Sequence, residues 1–178
     1  MNKDTLRHIM LNKRMQISQE DLKKYALIAV DALKNHPQYK KSKVVGIYHP
    51  IKNEIDITSI IKEDKLFLLP KVEGDAMHYY EFNKHSELEK SSLHIMEVKD
   101  GTNLDHLLEL IIVPALAISK DFDRVGYGKG FFDRFIEKYP HIFTMSIVFD
   151  FQIVDKVHIT SNDKKVHDII CIETEEKT

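Results

Sequence analysis

Residues 124–134, with the sequence RVGYGKGFFDR, limit the local backbone more than any other part of the chain. Three of the six glycines, Gly126, Gly128 and Gly130, fall here at alternate positions. Glycine has the highest conformational cost on folding, so this spacing indicates unusual backbone angles or a closely approaching ligand. Apolar residues with helical spacing follow the last glycine: Phe131, Phe132, Phe135, Ile136 and Tyr139. The run therefore predicts a glycine-rich loop that enters a helix at its N-terminus.

A loop of this kind suits phosphate, because free N–H groups and the positive end of the helix dipole face the anion. Arg124 and Lys129 add two cations, and Asp133 adds a carboxylate. The glycine spacing differs from both the P-loop and the dinucleotide fingerprint. On spacing alone, a tight loop before an amphipathic helix is an equal alternative. The two cations and the carboxylate favour a phosphate site.

Short apolar runs alternate with helical segments along the chain. Helices are predicted over residues 3–15 and from Ser18 to Asn35, where Pro37 stops the second one. Residues 115–125 are predicted to be a loop. Strands are predicted at 44–49, 66–69, 77–82, 93–98, 109–113, 142–149 and 169–172. Because several of them are apolar on both faces, we expect one α/β domain over residues 1–178, with a mostly parallel (mixed) sheet flanked by helices on both faces.

Polar residues follow the predicted strands where ligands of open α/β sheets bind. His49 and Glu54 follow the first strand, and the glycine run follows the strand at 109–113. His167 and Asp168 instead precede the last strand. The fold class allows His49, Glu54 and the glycine run to converge on one site.

The first helix carries a basic stripe of Lys3, Arg7 and Arg14. These residues fall close together on a helical wheel. A solvated face is the ordinary interpretation of such a stripe. Contact with an anion is the alternative.

The bulk composition excludes several classes of partner. A net charge of −2 and a pI of about 6.5 leave no basic field, so we expect no nucleic-acid and no membrane partner. The single cysteine, Cys171, excludes an intrachain disulfide, and its apolar neighbours predict an inert core thiol. No apolar signal segment or bilayer-length run is found. We expect a cytoplasmic monomer.

The glycine motif after a strand ending in Val-Pro resembles the 5-formyltetrahydrofolate cyclo-ligase family. Further matches occur in the same order along nearly the whole chain, at Lys3-x-x-Leu6-Arg7, Asn53-Glu54-Ile55-Asp56, Leu69-Pro70-Lys71-Val72, Gln152 and His167-Asp168. The chain departs from the pattern where a tyrosine is usual at Phe131 or Phe132. It also departs at Glu97-Val98 and just before Arg124. These departures put single contacts in doubt rather than the reaction.

The resemblance implies conversion of 5-formyltetrahydrofolate to 5,10-methenyltetrahydrofolate with Mg²⁺ and ATP, through phosphorylation of the formyl oxygen and attack by N10. It implies catalytic roles for Arg124 and Lys129, and Mg²⁺ ligands at Asp133 and Asp168. The implied ATP-binding residues are Lys3, Asp4, Thr5, Leu6, Arg7, Arg124, Val125, Gly126, Tyr127, Gly128, Lys129, Gly130, Phe131 and Phe132. The implied folate-binding residues are His49, Glu54, Tyr127, Gly128, Lys129, Gly130 and Phe131.

Other interpretations stay open at this point. A sugar-phosphate enzyme of related fold, or a nucleotide-binding regulator without turnover, would also keep the glycine loop. Single residues have structural alternatives as well: Asp133 would complement the helix dipole, Asp168 would form a surface pair, and His49 would end a strand. Glu54 together with the two aspartates favours the enzyme.

Overall fold

A computed structural model describes residues 1–175. Its α-helices are α1 (Lys3–Met15), α2 (Gln19–Asn35), α3 (Pro37–Lys41) and α4 (Phe131–Lys138). Its strands are β1 (Val44–Gly46), β2 (Leu66–Glu73), β3 (Ala76–Glu81), β4 (Leu88–Lys90), β5 (Met96–Val98), β6 (Leu110–Ile112), β7 (Ala117–Ser119), β8 (Arg124–Val125), β9 (Phe143–Phe149), β10 (Ile153–Val154) and β11 (Asp168–Ile172). Short 3-10 helices cover Thr58–Lys62, Asp105–Leu107 and Asp150–Gln152.

The central sheet has six strands in the order β11-β9-β6-β1-β2-β3. Five of them are parallel, and β3 joins β2 as an antiparallel edge strand. Smaller sheets are formed by β10-β7-β8 and by β4-β5. This arrangement confirms the predicted mixed α/β fold.

Helices cover both faces of the central sheet. On one face, Tyr25 and Leu33 of α2 pack with Phe67 and Leu69 of β2. On the other face, Leu68 packs in a second cluster with residues of α4. Because successive strand residues face opposite sides, burial on both faces explains the continuous apolar run of β2.

Helix α1 packs on the three-stranded sheet β10-β7-β8 rather than on the central six-stranded sheet. Asn2 caps the helix by accepting a hydrogen bond of 2.8 Å from the Thr5 backbone N–H. Leu6 and Met10 are buried with Leu116, Ala117 and Val125. Since β8 runs directly into the glycine loop, this packing places the basic stripe of α1 beside that loop.

The structure corrects two local predictions and confirms a third. Residues 115–125 contain β7 and β8 and are not only a loop. These strands were not predicted, because strands this short leave no periodic signal in the sequence. Helix α2 ends at Asn35 as predicted, and Pro37 begins the short helix α3, where its missing N–H costs nothing. Cys171 is exposed, not in the core, because it alternates with the buried Ile172 on the edge strand β11. No helix within residues 1–175 is long and apolar enough to cross a bilayer.

Gly46 supplies a stability test, because β1 passes very close to Tyr79. A Cβ at this position would lie 2.8 Å from the buried Tyr79 ring and 3.1 Å from Leu108. We expect Gly46→Ala to lower the free energy of unfolding by about 1–3 kcal/mol through overpacking. Gly101→Ala is the control, since its nearest neighbour is the half-exposed Tyr80 ring at 3.3 Å. Urea denaturation measures both, and equal stability of the two variants would contradict the packing argument.

Candidate active site

One cavity of about 790 Å³ collects most of the predicted site residues. It lies beyond the carboxyl ends of β1 and β6, where ligands of such sheets bind. The glycine loop closes one side, and the β2–β3 hairpin closes the other. Its lining is Lys3, Arg7, Tyr48, His49, Ile51, Lys52, Glu54, Pro70, Val72, Met77, Leu93, Ile95, Met96, Glu97, Pro114, Arg124, Val125, Gly126, Tyr127, Gly128, Lys129, Gly130, Phe131, Phe132, Asp133, Arg134, Glu137, Asn162 and Asp163.

Four of the predicted site residues do not line this cavity. Asp4 is exposed and forms a 2.8 Å ion pair with Arg7. Thr5 is exposed in the first turn of α1, and Leu6 is buried against Val125. The side chain of Leu6 therefore anchors the helix instead of meeting a ligand.

Asp168 is the fourth. It begins the edge strand β11, where its Oδ2 lies 2.6 Å from Nε2 of His36 and its Oδ1 accepts the Ile169 backbone N–H. His36 uses Nδ1 to accept the N–H of Gln38, so its Nε2 carries the hydrogen for Asp168. Asp168 thus fixes the end of α2 to the sheet edge. The structure does not bring it together with Asp133, and we do not carry it into a metal site.

The glycine loop has the backbone geometry that its sequence predicts. Gly128 and Gly130 have φ values of +97° and +76°, which non-glycine residues rarely adopt. A Cβ at Gly126 would lie 2.7 Å from Nη1 of Arg124. Within residues 1–175, no backbone N–H from 127 to 133 donates a hydrogen bond. These free donors, at the N-terminus of α4, form a site for an anion.

The basic stripe of α1 faces this loop and not solvent. Nε of Arg7 donates a 2.7 Å hydrogen bond to the Gly126 carbonyl. The guanidinium group also packs closely over Gly128, where a Cβ would lie 3.4 Å from Cζ. Lys3 pairs with Asp163 at the cavity wall. The solvated-face interpretation is therefore wrong for Arg7.

Arg124 lies beneath the loop and is only 5% exposed. Its Nη1 donates to the Pro114 carbonyl at 2.7 Å, and its Nη2 to Oδ1 of Asp133 at 3.3 Å. Burial lowers the pKa of Arg124, and Asp133 opposes that shift. Its Nε is buried without a partner in the described residues.

Glu54 is the buried carboxylate of the cavity, at 8% exposure. Its Oε1 accepts the Ile51 backbone N–H at 2.9 Å, and its Oε2 accepts the Tyr127 hydroxyl at 3.4 Å. Burial raises the pKa of Glu54 to about 7, although nearby Arg14 and the two hydrogen bonds oppose the rise. A carboxylate with this pKa can receive N–H donors of a ligand near neutral pH.

The loop that carries Glu54 is fixed to α1. Lys52 and Asn53 have φ values of +47° and +61°, and Asn is among the residues that tolerate this region. The Asn53 side chain donates to the carbonyls of Arg14 and Ile17 at 3.1 and 3.2 Å. The Asn-Glu pair in the sequence could have indicated this loop, but its anchor on α1 could not be predicted.

The remaining wall is apolar and was not predicted. Pro70, Val72 and Met77 come from the hairpin, Leu93 and Ile95 come from the loop before β5, and Met96 begins β5. Glu97 is 5% exposed and accepts the Val72 N–H at 2.8 Å, while burial raises its pKa. These segments are far apart in sequence and share no motif. The cavity as a whole offers an anion site at one end and a buried carboxylate beside an apolar wall at the other.

The model of the 5-formyltetrahydrofolate cyclo-ligase family matches residues 1–172. The chain belongs to this family. The resemblance noted in the sequence is thereby confirmed, and family membership makes the protein a ligase.

Named cyclo-ligases and solved structures are similar over most of the chain. The 5-formyltetrahydrofolate cyclo-ligase of Mus musculus is 25% identical, covering 90% of this chain and 89% of the mouse protein. That of Escherichia coli K12 is 23% identical, covering 85% and 90%. The 5,10-methenyltetrahydrofolate synthetase of Aquifex aeolicus superposes with a TM-score of 0.83 at 30% identity, covering 96% of this chain and 90% of that one.

The raised pKa of Glu54 makes the stability of the protein depend on pH in a testable way. The folded state holds the Glu54 proton more tightly than the unfolded state, whose pKa is near 4.5. The stability that the protonated Glu54 contributes to the folded state is thus fully present below about pH 4.5 and is lost as pH rises through about 7. Between these limits, we expect Glu54→Gln to gain about 3 kcal/mol of stability relative to wild type.

Chemical denaturation across this range measures the difference. Glu137→Gln is the matched control, because Glu137 lines the cavity rim but is exposed. A constant difference between Glu54→Gln and wild type at all pH values would contradict the raised pKa.

Proposed function

We propose that the protein converts 5-formyltetrahydrofolate to 5,10-methenyltetrahydrofolate with ATP and Mg²⁺. One observation carries the proposal. A single cavity joins the free N–H groups and cations of the glycine loop to the buried carboxylate of Glu54, and Tyr127 contacts both ends. The names of its relatives support the same reaction.

The loop end would receive the triphosphate of ATP. The free N–H groups of residues 127–133 would surround the phosphates, and Lys3, Arg7 and Lys129 would supply the positive charge. Lys129 is exposed and forms no ion pair within residues 1–175, so it can move to a phosphate without losing a partner. Phosphoryl transfer depends mainly on positioning and charge neutralisation, which this set provides.

Asp133 fits the role of a magnesium ligand. Its Oδ1 faces Arg124 and the Lys164 N–H, while its Oδ2 has no partner in the described chain. Mg²⁺ usually takes one or two carboxylates together with phosphate oxygens and waters. Within residues 1–175, no group of three His, Cys, Asp or Glu is arranged around a metal. The ion would therefore bind with the nucleotide, whose phosphate charge it neutralises.

The other end would receive the folate ring. Glu54 would accept N–H donors of the pterin, and the apolar wall at Val72, Met77 and Ile95 would cover the ring. His49 lines the same region, with its Nδ1 buried and without a partner in the described residues. A buried group left unpaired is costly, so His49 favours a ligand with a matching polar atom.

The chemistry then proceeds in two steps. The formyl oxygen attacks the γ-phosphorus of ATP, the bond to the bridging oxygen breaks, and ADP leaves. N10 next attacks the activated formyl carbon, loses its proton, and the carbon–oxygen bond breaks to release phosphate. Lys129 and Arg124 stabilise the negative charge that builds up on the transferred group. The product is the N5–N10 methenyl cation, with ADP and phosphate.

The alternative functions have less support in the structure. A nucleotide-binding regulator would not require a buried carboxylate at the far end of the same cavity. A sugar-phosphate enzyme would not require the apolar wall beside it. A cytoplasmic location, a monomeric state and a single domain over residues 1–178 stay predictions.

The direct test is incubation of the protein with 5-formyltetrahydrofolate and Mg-ATP. Absorbance follows methenyltetrahydrofolate, and a coupled assay follows ADP. We expect equal amounts of both. Product formed without ATP, or ATP hydrolysed without folate product, would overturn the proposal.

Arg7→Ala tests the phosphate site. We expect turnover to fall at least about tenfold, because a planar guanidinium near the phosphates contributes more than about 1.4 kcal/mol to the transition state. Arg7→Lys should recover part of the loss. Lys13→Ala, an exposed change on the same helix, is the control. A wild-type rate for Arg7→Ala, or a loss that follows the melting temperature, would argue against a phosphate contact.

Asp133→Asn tests the magnesium ligand. We expect the Mg²⁺ concentration for half-maximal rate to rise about tenfold, since a neutral amide oxygen replaces an anionic one. Asp168→Asn is the matched control and should leave that concentration unchanged, because Asp168 pairs with His36 away from the cavity. Magnesium titrations of both variants decide the matter. The opposite pattern would assign the metal to Asp168.

A further inference from the structure

Arg14 is a buried cation that the phosphate site does not use. It stands in the last turn of α1 and is only 2% exposed. Its Nε donates to the Lys52 carbonyl at 2.9 Å, and its Nη2 donates to the Tyr127 hydroxyl. Arg14 therefore connects α1 with the Glu54 loop and with the middle of the glycine loop.

The direction of these hydrogen bonds follows from chemistry. Arginine has donors and no acceptor, so the Tyr127 oxygen accepts from Arg14. The phenol hydrogen is then left to point at Oε2 of Glu54, 3.4 Å away. The Tyr127 ring is also flanked by two cations, with Arg14 Cζ 5.9 Å and Lys52 Nζ 5.6 Å from its centroid. The ring is thus held in one orientation.

We propose that Arg14 is a positioning residue of the folate site, which fixes Tyr127 as a hydrogen-bond donor to Glu54 and so sets the carboxylate that receives the substrate. The substrate assignment rests on the proposed function. Arg7 and Arg14 contact neighbouring residues of the glycine loop, the Gly126 carbonyl and the Tyr127 hydroxyl. One helix therefore serves both ends of the cavity, Arg7 at the nucleotide end and Arg14 at the folate end.

Lysine cannot replace Arg14 in this role. Its single ammonium keeps the charge but lacks the planar fork that reaches the Lys52 carbonyl and the Tyr127 hydroxyl together. Arg14→Lys should therefore preserve the local charge and release the tyrosine. The charge effect and the positioning effect can be separated in this way.

Steady-state kinetics test the positioning role. We expect Arg14→Lys to raise KM for 5-formyltetrahydrofolate about tenfold, with KM for ATP within about twofold of wild type. Because Arg14 acts through the phenol, the rise in KM for 5-formyltetrahydrofolate in the Arg14→Lys and Tyr127→Phe double variant should be no larger than the rise in the more strongly affected single variant. Lys13→Gln on the exposed face of α1 is the control. Parallel rises in both KM values, or losses that multiply in the double variant, would overturn the proposal.

A second measurement needs no substrate. The charged and titratable groups that face Glu54 are Arg14 from α1, Lys52 from its own loop, Tyr48 after β1, and Tyr127 from the glycine loop. Arg14→Gln removes the positive charge that acts most strongly on Glu54, so the pH at which stability falls should move upward by about one unit, whereas Arg14→Lys should not move it.

Melting temperatures from about pH 5 to 9 record this shift, and a Glu54→Gln background should abolish it. No shift in Arg14→Gln would overturn the link between Arg14 and Glu54. The melting data do not depend on catalysis. An absence of turnover in the wild-type protein would therefore contradict the proposed function without bearing on the link between Arg14 and Glu54.

Discussion

The need to pair buried arginines organises the site. Arg14 and Arg124 are 2% and 5% exposed, and a guanidinium taken out of water is costly unless acceptor oxygens receive most of its donors. Arg124 finds the Pro114 carbonyl and Asp133, which fixes the loop base to α4. Arg14 finds the Lys52 carbonyl and Tyr127, which fixes the Glu54 loop. The two binding ends of the cavity depend on these contacts.

Within residues 1–175, other groups of the site stay free. The N–H groups from 127 to 133 and the Lys129 ammonium have no partner in the described chain, because they lie in the glycine loop and the first turn of α4, where no helical carbonyl precedes them. Preorganised donors of this kind stabilise developing charge without rearranging during the reaction. At the opposite end, burial makes Glu54 hold its proton up to about pH 7, so a donor from the ligand competes with that proton. The cavity thus combines a rigid anion site in the glycine loop with an acceptor, Glu54, whose protonation depends on pH near neutrality.

The helix ends and the backbone of the glycine loop could be predicted from local sequence. The bounds of α1 and the Ser18 cap of α2 follow from apolar spacing and capping chemistry, which act over a few residues. The positive φ angles at Gly128 and Gly130 follow from glycine itself. The strands β7 and β8 could not be predicted, since each is stabilised by its partner and by α1. The exposure of Cys171 depends on which strand ends the sheet.

The sequence by itself determined the glycine loop, the helix that follows it, the mixed α/β fold and the family. These properties depend on residue type and short-range spacing. Only the tertiary structure decided that Arg14 is buried beside Tyr127, that Asp163 holds Lys3, and that Asp168 lies at the sheet edge. The partners in these contacts are separated by more than a hundred residues, and no local pattern encodes which buried charge meets which acceptor. That choice is made when the helices and loops pack around the sheet.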